Sequence, residues 1–196
     1  GRVVYAGLIG GHQPTGIYRS DDNGSTWQVI SSGPGVAVNA LAVHPDNNTV
    51  LYAGTAGGPA ATTDSLWRSN NGGQTWQRFV LGLPANPYGM VPSVTALAVD
   101  PDQPNLLYVG TDAGVYVSFN RGDAWLSLCA DLPTTPVMDL VVHPREDELI
   151  IATHGRSLFL LDVRPVQAVV VLPLLGALEV AVQHADQAEI DGLLEL

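Results

Sequence analysis

The sequence predicts an all-β protein, a β-propeller or part of one, built from about four four-stranded antiparallel blades. Three observations carry that prediction. Tryptophans fall at positions 27, 76 and 125, an even spacing of 49 residues, and each closes a similar octapeptide: SDDNGSTW, SNNGGQTW and SFNRGDAW. Short runs rich in Val, Leu and Tyr recur in the same order around each octapeptide, as strands do. The 21 Gly and 14 Pro fall largely between those runs, where tight turns need them. A fixed period of this length marks a repeat architecture. A lone four-stranded sheet cannot bury both faces, so the repeats must stack on one another.

Each full repeat reads as four strands, A to D. Strand A is VNALAVHPD, VTALAVDPD or VMDLVVHPR. Strand B is VVYAG, VLYAGT, LLYVGT or LIIATHG, and strand C is GIYRS, SLWRS or GVYVS. Strand D starts at the tryptophan: WQVI, WQRFV, WLSLC. The first unit lacks A and opens with B over 2–6. The second and third are complete. The fourth has A over 137–143, B over 148–153 and C over 157–161, and its D strand is expected from 166–172 although no Trp marks it. Blades are thus expected over 1–165. Residues 166–196 are expected to form a closing strand and a C-terminal tail that reads equally as strand or amphipathic helix.

The octapeptide, Ser-x-Asp-x-Gly-x-x-Trp, resembles the Asp-box (BNR) repeat. In the hairpin between C and D, an oxygen at the third position can accept turn N–H groups. The Gly supplies positive φ, and the Trp is expected to fold under the turn and fill the space between blades. The positions are Ser20, Asp22, Gly24 and Trp27; Ser69, Asn71, Gly73 and Trp76; Ser118, Asn120, Gly122 and Trp125. Asn at 71 and 120 keeps the acceptor and removes the charge a bound cation would need. These residues therefore read as structural.

The stretch from 106 to 162, ending ATHGRSLFLLD, resembles the closing blades of bacterial sortilin-like, glycosyl-hydrolase-type BNR proteins. That resemblance implies an exported protein and a fold shared by enzymes and binders, so function must be argued from the site. Such propellers have six or more blades. A chain that starts in mid-blade is therefore expected to be the C-terminal part of a larger propeller, with a small closed ring as the alternative. Further blades could come from the same or another chain.

Composition narrows the partners. All 8 cations are Arg, set against 19 carboxylates for a net charge of −11. No basic stripe exists to hold nucleic acid or an anionic membrane surface. No apolar run is long enough to insert in a membrane. The single cysteine, Cys129, forms no intrachain disulfide and reads as a small buried hydrophobe. There is no HExxH, Cys cluster or phosphate loop, so no metal or other cofactor is expected.

Propeller topology places the A–B and C–D turns on one face and the B–C and D–A loops on the other, where ligand sites form. Candidate ligand-binding residues on that second face are His12, Tyr88, His154 and Arg156. His154 and Arg156 read either as a ligand-facing pair or as a tight turn in which Arg156 pairs with a carboxylate such as Asp112. His44 and His143, each before Pro on the opposite face, read as turn residues. A sialidase is disfavoured: no Arg-Ile-Pro segment is present and the first Glu is Glu146. A glycoside hydrolase needs two carboxylates across the scissile bond. By loop position those would be Asp64, Asp112 and Asp131, each also a common turn residue. The leading expectation is a non-catalytic binding or assembly scaffold presenting loops to a protein or glycan. A glycoside hydrolase and a structural subunit of an extracellular assembly are the alternatives.

Overall fold

A computed structural model describes residues 2–8, 16–31, 38–56, 58–59, 66–79, 83, 89–128 and 135–171. The architecture is four antiparallel sheets stacked as propeller blades. Blade 1 is β1 (Val4–Leu8), β2 (Gly16–Ser20) and β3 (Gln28–Ser31). Blade 2 is β4 (Val38–His44), β5 (Asn47–Thr55), β7 (Leu66–Ser69) and β8 (Gln77–Arg78). Between its strands β6 (Gly58–Pro59) pairs with β9 (Met90–Val91) as a two-stranded ribbon absent from the sequence reading. Blade 3 is β10 (Val94–Val99), β11 (Leu107–Thr111), β12 (Gly114–Ser118) and β13 (Leu126–Ser127). Blade 4 is β14 (Val137–Val142), β15 (Glu148–Thr153) and β16 (Leu158–Asp162).

The strand order within each blade is the A–B–C–D order of the repeats, and blade 1 begins with its B strand. The closing D strand expected over 166–172 is instead a helix, α1 (Arg164–Val171). The Asp162 carboxylate accepts the Arg164 N–H at 2.9 Å, the geometry of an N-cap. Pro165 sits in the first turn, where its missing N–H costs nothing. Val163 is fully buried, and Gln167 of α1 reaches Asp100 of blade 3 through its side-chain amide at 3.0 Å. These anchors hold the segment against the side of blade 3, away from the edge of β16.

Three apolar layers lie between successive sheets. Ile17, Val38 and Ala53 form the core between blades 1 and 2. Tyr52, Leu66, Val94, Leu107 and Val109 form the layer between blades 2 and 3, and Tyr108, Val115, Val137, Leu149 and Ile151 the layer between blades 3 and 4. Two recurring devices fix the spacing. The next-to-last residue of the B strand is a glycine in blades 1 to 3, at 7, 54 and 110, and the first valine of the next A strand, Val38, Val94 or Val137, seats against it. A Cβ added at Gly110 would meet Val137 Cγ1 at 2.5 Å, and one at Gly54 would run into Val94. The second device is a β-bulge after that valine in each A strand. Bulges re-aim side chains. Here the bulged Asn39 donates its amide N–H to the carbonyl of Val94 at 3.2 Å, and the bulged Thr95 donates its hydroxyl to the carbonyl of Val137.

Candidate functional site

The three C–D hairpins share one hydrogen-bond scheme. In the first, the Ser20 hydroxyl donates to Asp22 Oδ1 at 2.6 Å and accepts the Gly24 N–H at 2.8 Å. Asp22 then accepts the Thr26 N–H at 2.8 Å and the Thr26 hydroxyl at 2.6 Å. In the second and third, Asn71 and Asn120 accept the N–H groups of Thr75 and Ala124, each at 2.9 Å. Ser69 and Ser118 accept from Gly73 and Gly122 at 2.9 and 2.7 Å. The box glycines have φ near 90°, and those of blades 2 and 3 sit against the preceding blade: a Cβ at Gly73 would meet Ile30, and one at Gly122 would meet Phe79, each at 2.5 Å. The box therefore closes its own turn and offers a notch to its neighbour.

The indoles do not behave alike. Trp125 is 8% exposed and meets Phe79 of blade 2 edge-on, with ring centroids 6.3 Å apart. Trp76 is half-buried, and its Nε1–H donates to the Gly73 carbonyl at 3.0 Å. Trp27 is 42% exposed although its Nε1–H makes the same bond, to Gly24 at 2.9 Å. The expectation that each indole fills an inter-blade space therefore fails at Trp27. The reason is physical: blade 1 has no preceding sheet among the described residues to supply an Ile30 or a Phe79.

Asp22 is the charged member of the set. Hydrogen bonds from the Ser20 hydroxyl, then from the Thr26 hydroxyl and N–H, hold its carboxyl down to about 2. An unfolded Asp titrates near 4, so the native state gains stability above that pH and loses it as pH falls through about 2. Asp22→Asn, which copies the other two boxes, is expected to fold and to lose less stability on acidification from about pH 4. Denaturant midpoints across that range, beside an NMR titration of Asp22, check this.

The A–B turns, on the same face as the boxes, are closed in blades 2 and 4 by the His before Pro. His44 Nδ1 accepts the Asp46 N–H at 3.2 Å, and His143 Nδ1 accepts the Glu146 N–H at 3.2 Å. Asp100, fully buried, accepts from Asp102 and Gln103 at 3.0 and 2.9 Å. These side chains are engaged in turns. Among the described residues no cluster of three or more potential metal ligands occurs.

On the B–C face the structure brings Asp112 and His154 to equivalent positions of neighbouring blades. Each follows the last Thr of its B strand, and each donates its N–H to the residue just before the A strand of its own blade, Ser93 at 3.2 Å and Pro136 at 2.8 Å. Both residues are exposed. Asp112 Oδ1 also accepts the Ser93 N–H at 3.1 Å, so one carboxylate oxygen is committed to the turn. Its charge, after burial, helps push the Tyr116 hydroxyl upward. Gly155 takes φ 76° in the turn after His154, and Arg156 is exposed without an ion pair to Asp112. The pairing of Arg156 with Asp112, one of the two readings of that turn, is therefore not made. His12, Asp64, Tyr88 and Asp131 lie outside the described residues, as does Cys129.

A feature missed in the sequence lies at the rim between blades 2 and 3. Trp67, Trp76, Phe79, Arg68, Arg78 and Asp123 line an open groove of about 770 Å³. The Arg68 guanidinium stands over the Phe79 ring, 5.5 Å from its centroid, and reaches Asp123 at 3.4 Å. The Arg in SLWRS was the available signal, since it precedes a box and must point to the next blade.

The Sortilin-Vps10 family model, described as sortilin, neurotensin receptor 3, matches residues 15–112, half of the chain. The chain belongs to the Sortilin-Vps10 family. Among its relatives is xyloglucanase Xgh74A of Acetivibrio thermocellus, 27% identical over 148 residues, covering 63% of this chain and 16% of that protein. A xyloglucanase of a Paenibacillus species is 30% identical over 143 residues, again 63% of this chain but 13% of the relative. The crystal structure of a GH74 enzyme from Niastella koreensis matches with a TM-score of 0.58 at 22% identity, over 82% of this chain and 26% of that one. The Sortilin-Vps10 match runs from β2 of blade 1 through β11 of blade 3, and so includes the first two boxes and the valines at 38 and 94. No helix among the described residues is long and apolar enough to cross a membrane.

Proposed function

We propose that this chain is an exported propeller arc that binds a polysaccharide of the xyloglucan class without cleaving it. The observation that carries this reading is the likeness to two xyloglucanases over 63% of the chain. The B–C face supports it. A cleaving site needs two carboxylates across the bond, whereas the two equivalent turn positions described there carry one carboxylate, Asp112, and one imidazole, His154. Exposed groups of that kind suit hydrogen bonding to sugar hydroxyls. The aromatic groove between blades 2 and 3 adds ring faces on which a pyranose can pack.

Affinity electrophoresis in gels containing xyloglucan, with an unrelated soluble polysaccharide as control, tests the proposal. Retardation in xyloglucan alone is expected, and Asp112→Ala with His154→Ala is expected to weaken it about tenfold, near 1.4 kcal/mol. No retardation would overturn the reading. The relatives' names favour one rival, a glycoside hydrolase. Release of new reducing ends from xyloglucan, abolished by Asp112→Asn, would establish that rival instead.

A further inference from the structure

One arginine position is treated differently in successive blades. By pairing register Arg19 of blade 1 and Arg68 of blade 2 are equivalent: each pairs with the tyrosine of its B strand, Tyr5 or Tyr52, and each precedes the Ser of its box. Arg19 is neutralised inside its own hairpin, where its Nε and Nη2 donate to Asp21 Oδ1 at 2.8 and 2.7 Å. In blade 2 the residue after the Ser is Asn70, which carries no charge. The Arg68 Nε is buried with no hydrogen-bond partner among the described residues. Its Nη1 makes two long contacts, both at 3.4 Å, to the Arg121 carbonyl and to Asp123. The Asp123 side chain is 63% exposed, and an exposed ion pair contributes little. A buried donor left without an acceptor in this way needs a reason.

The surroundings of Arg68 supply one. Its side chain keeps 24% of its surface and lines the open rim groove together with Arg78, Trp67 and Trp76. Two arginines share that groove with one carboxylate, Asp123, in a chain of net charge −11. Stacking over the Phe79 ring orients the guanidinium plane. A fork held in this way suits bidentate capture of a carboxylate. Trp67 and Trp76 are half-buried and offer indole surface in the same groove. A carboxylate receptor beside indole surface fits a pyranose ring that carries a carboxylate. A peptide fits less well. The outermost strand of blade 2, β8, is 2 residues long, too short an edge to set the register of an added strand.

We infer that the rim groove binds a uronic-acid sugar, with its carboxylate at Arg68 and Arg78 and its ring against the indoles of Trp67 and Trp76. This ligand is charged, unlike the polysaccharide proposed above. The inference stands on Arg68 and does not rest on Asp112 and His154 of the B–C face.

NMR titration of the full 196-residue chain with trigalacturonic acid tests it, with galactotriose and a tri-glutamate peptide as controls. Saturable shifts of the Arg68 Nε–H and of the Trp67 and Trp76 indole N–H signals are expected with the uronate alone. Asn70→Asp gives blade 2 the carboxylate that blade 1 holds in Asp21. It alters an exposed residue, so the variant is expected to keep its melting profile and to bind the uronate about tenfold more weakly. Asp123→Asn removes the competing carboxylate and is expected to strengthen binding about threefold. A wild type with no saturable shift at these signals overturns the inference. So does an Asn70→Asp variant that binds as tightly as wild type. Equal shifts with the tri-glutamate peptide would overturn the sugar, and equal shifts with galactotriose would show that the arginines are not used. Retardation by xyloglucan is a separate measurement, so the loss of either result leaves the other standing.

Discussion

Trp125→Ala is expected to lower the stability of the chain by about 3–5 kcal/mol, the range for a large aromatic removed from a core. Trp125 occupies the wedge between blades 2 and 3 and contributes an edge-to-face contact with Phe79. Its removal leaves a cavity beside Phe79, next to a box turn held closed by its own hydrogen bonds. Trp27→Ala deletes the same side chain from an equivalent box and is expected to cost less than about 1 kcal/mol in dilute solution, as for a surface change. The indole there rests on its own turn and faces solvent on the other side. Urea midpoints at unchanged m separate the two. Equal losses would mean that the box indole works only within its own hairpin and not as an inter-blade wedge.

The second large effect is expected at the B-strand glycines. Gly54→Ala adds one methyl group, which ordinarily helps a strand. Here that methyl would run into the Val94 side chain and press on Ala40. Overpacking of this kind costs about 1–3 kcal/mol. Because the clash is with a single side chain, Gly54→Ala combined with Val94→Ala is expected to cost less than the sum of the two changes, by at least about 0.5 kcal/mol. Additive losses would show that Gly54 is required for its backbone and not for the close approach. Ala152→Gly, at the equivalent position of blade 4, is the control. Among the described residues no valine seats there, so the change is expected to cost only the added chain entropy, about 0.5–1 kcal/mol.

Much of this protein is readable along the chain because a repeat states its own alignment. The A–B–C–D order and the box turns follow from residues a few places apart, whose bonds close within one hairpin. Ser20, Asp22 and Gly24 need no distant partner to make their turn. The segment after Asp162 was misread because its Val-rich run suits a strand, while the signal for a helix is an Asp cap and a Pro in the first turn. The choice was then settled by burial of Val163 and the bond from Gln167 to Asp100, a partner 67 residues away.

The candidate site was legible only in outline. Topology alone puts Asp112 and His154 on one face, and the sequence could name them. That they occupy equivalent positions on adjacent blades depends on the register of β11 against β10 and of β15 against β14. That Arg156 does not meet Asp112 depends on where two separate turns end.

By itself the sequence determined the blade as a unit: four short strands, a self-closing hairpin, and a glycine placed where the next sheet must come close. Those are local properties, governed by side-chain alternation, by φ and by hydrogen bonds of short span. Only the tertiary structure decided which of three identical tryptophans is buried, which glycine notch is filled, and which leucines are left facing water. Burial is a property of pairs of sheets, so the same residue in the same hairpin is core in one blade and surface in another.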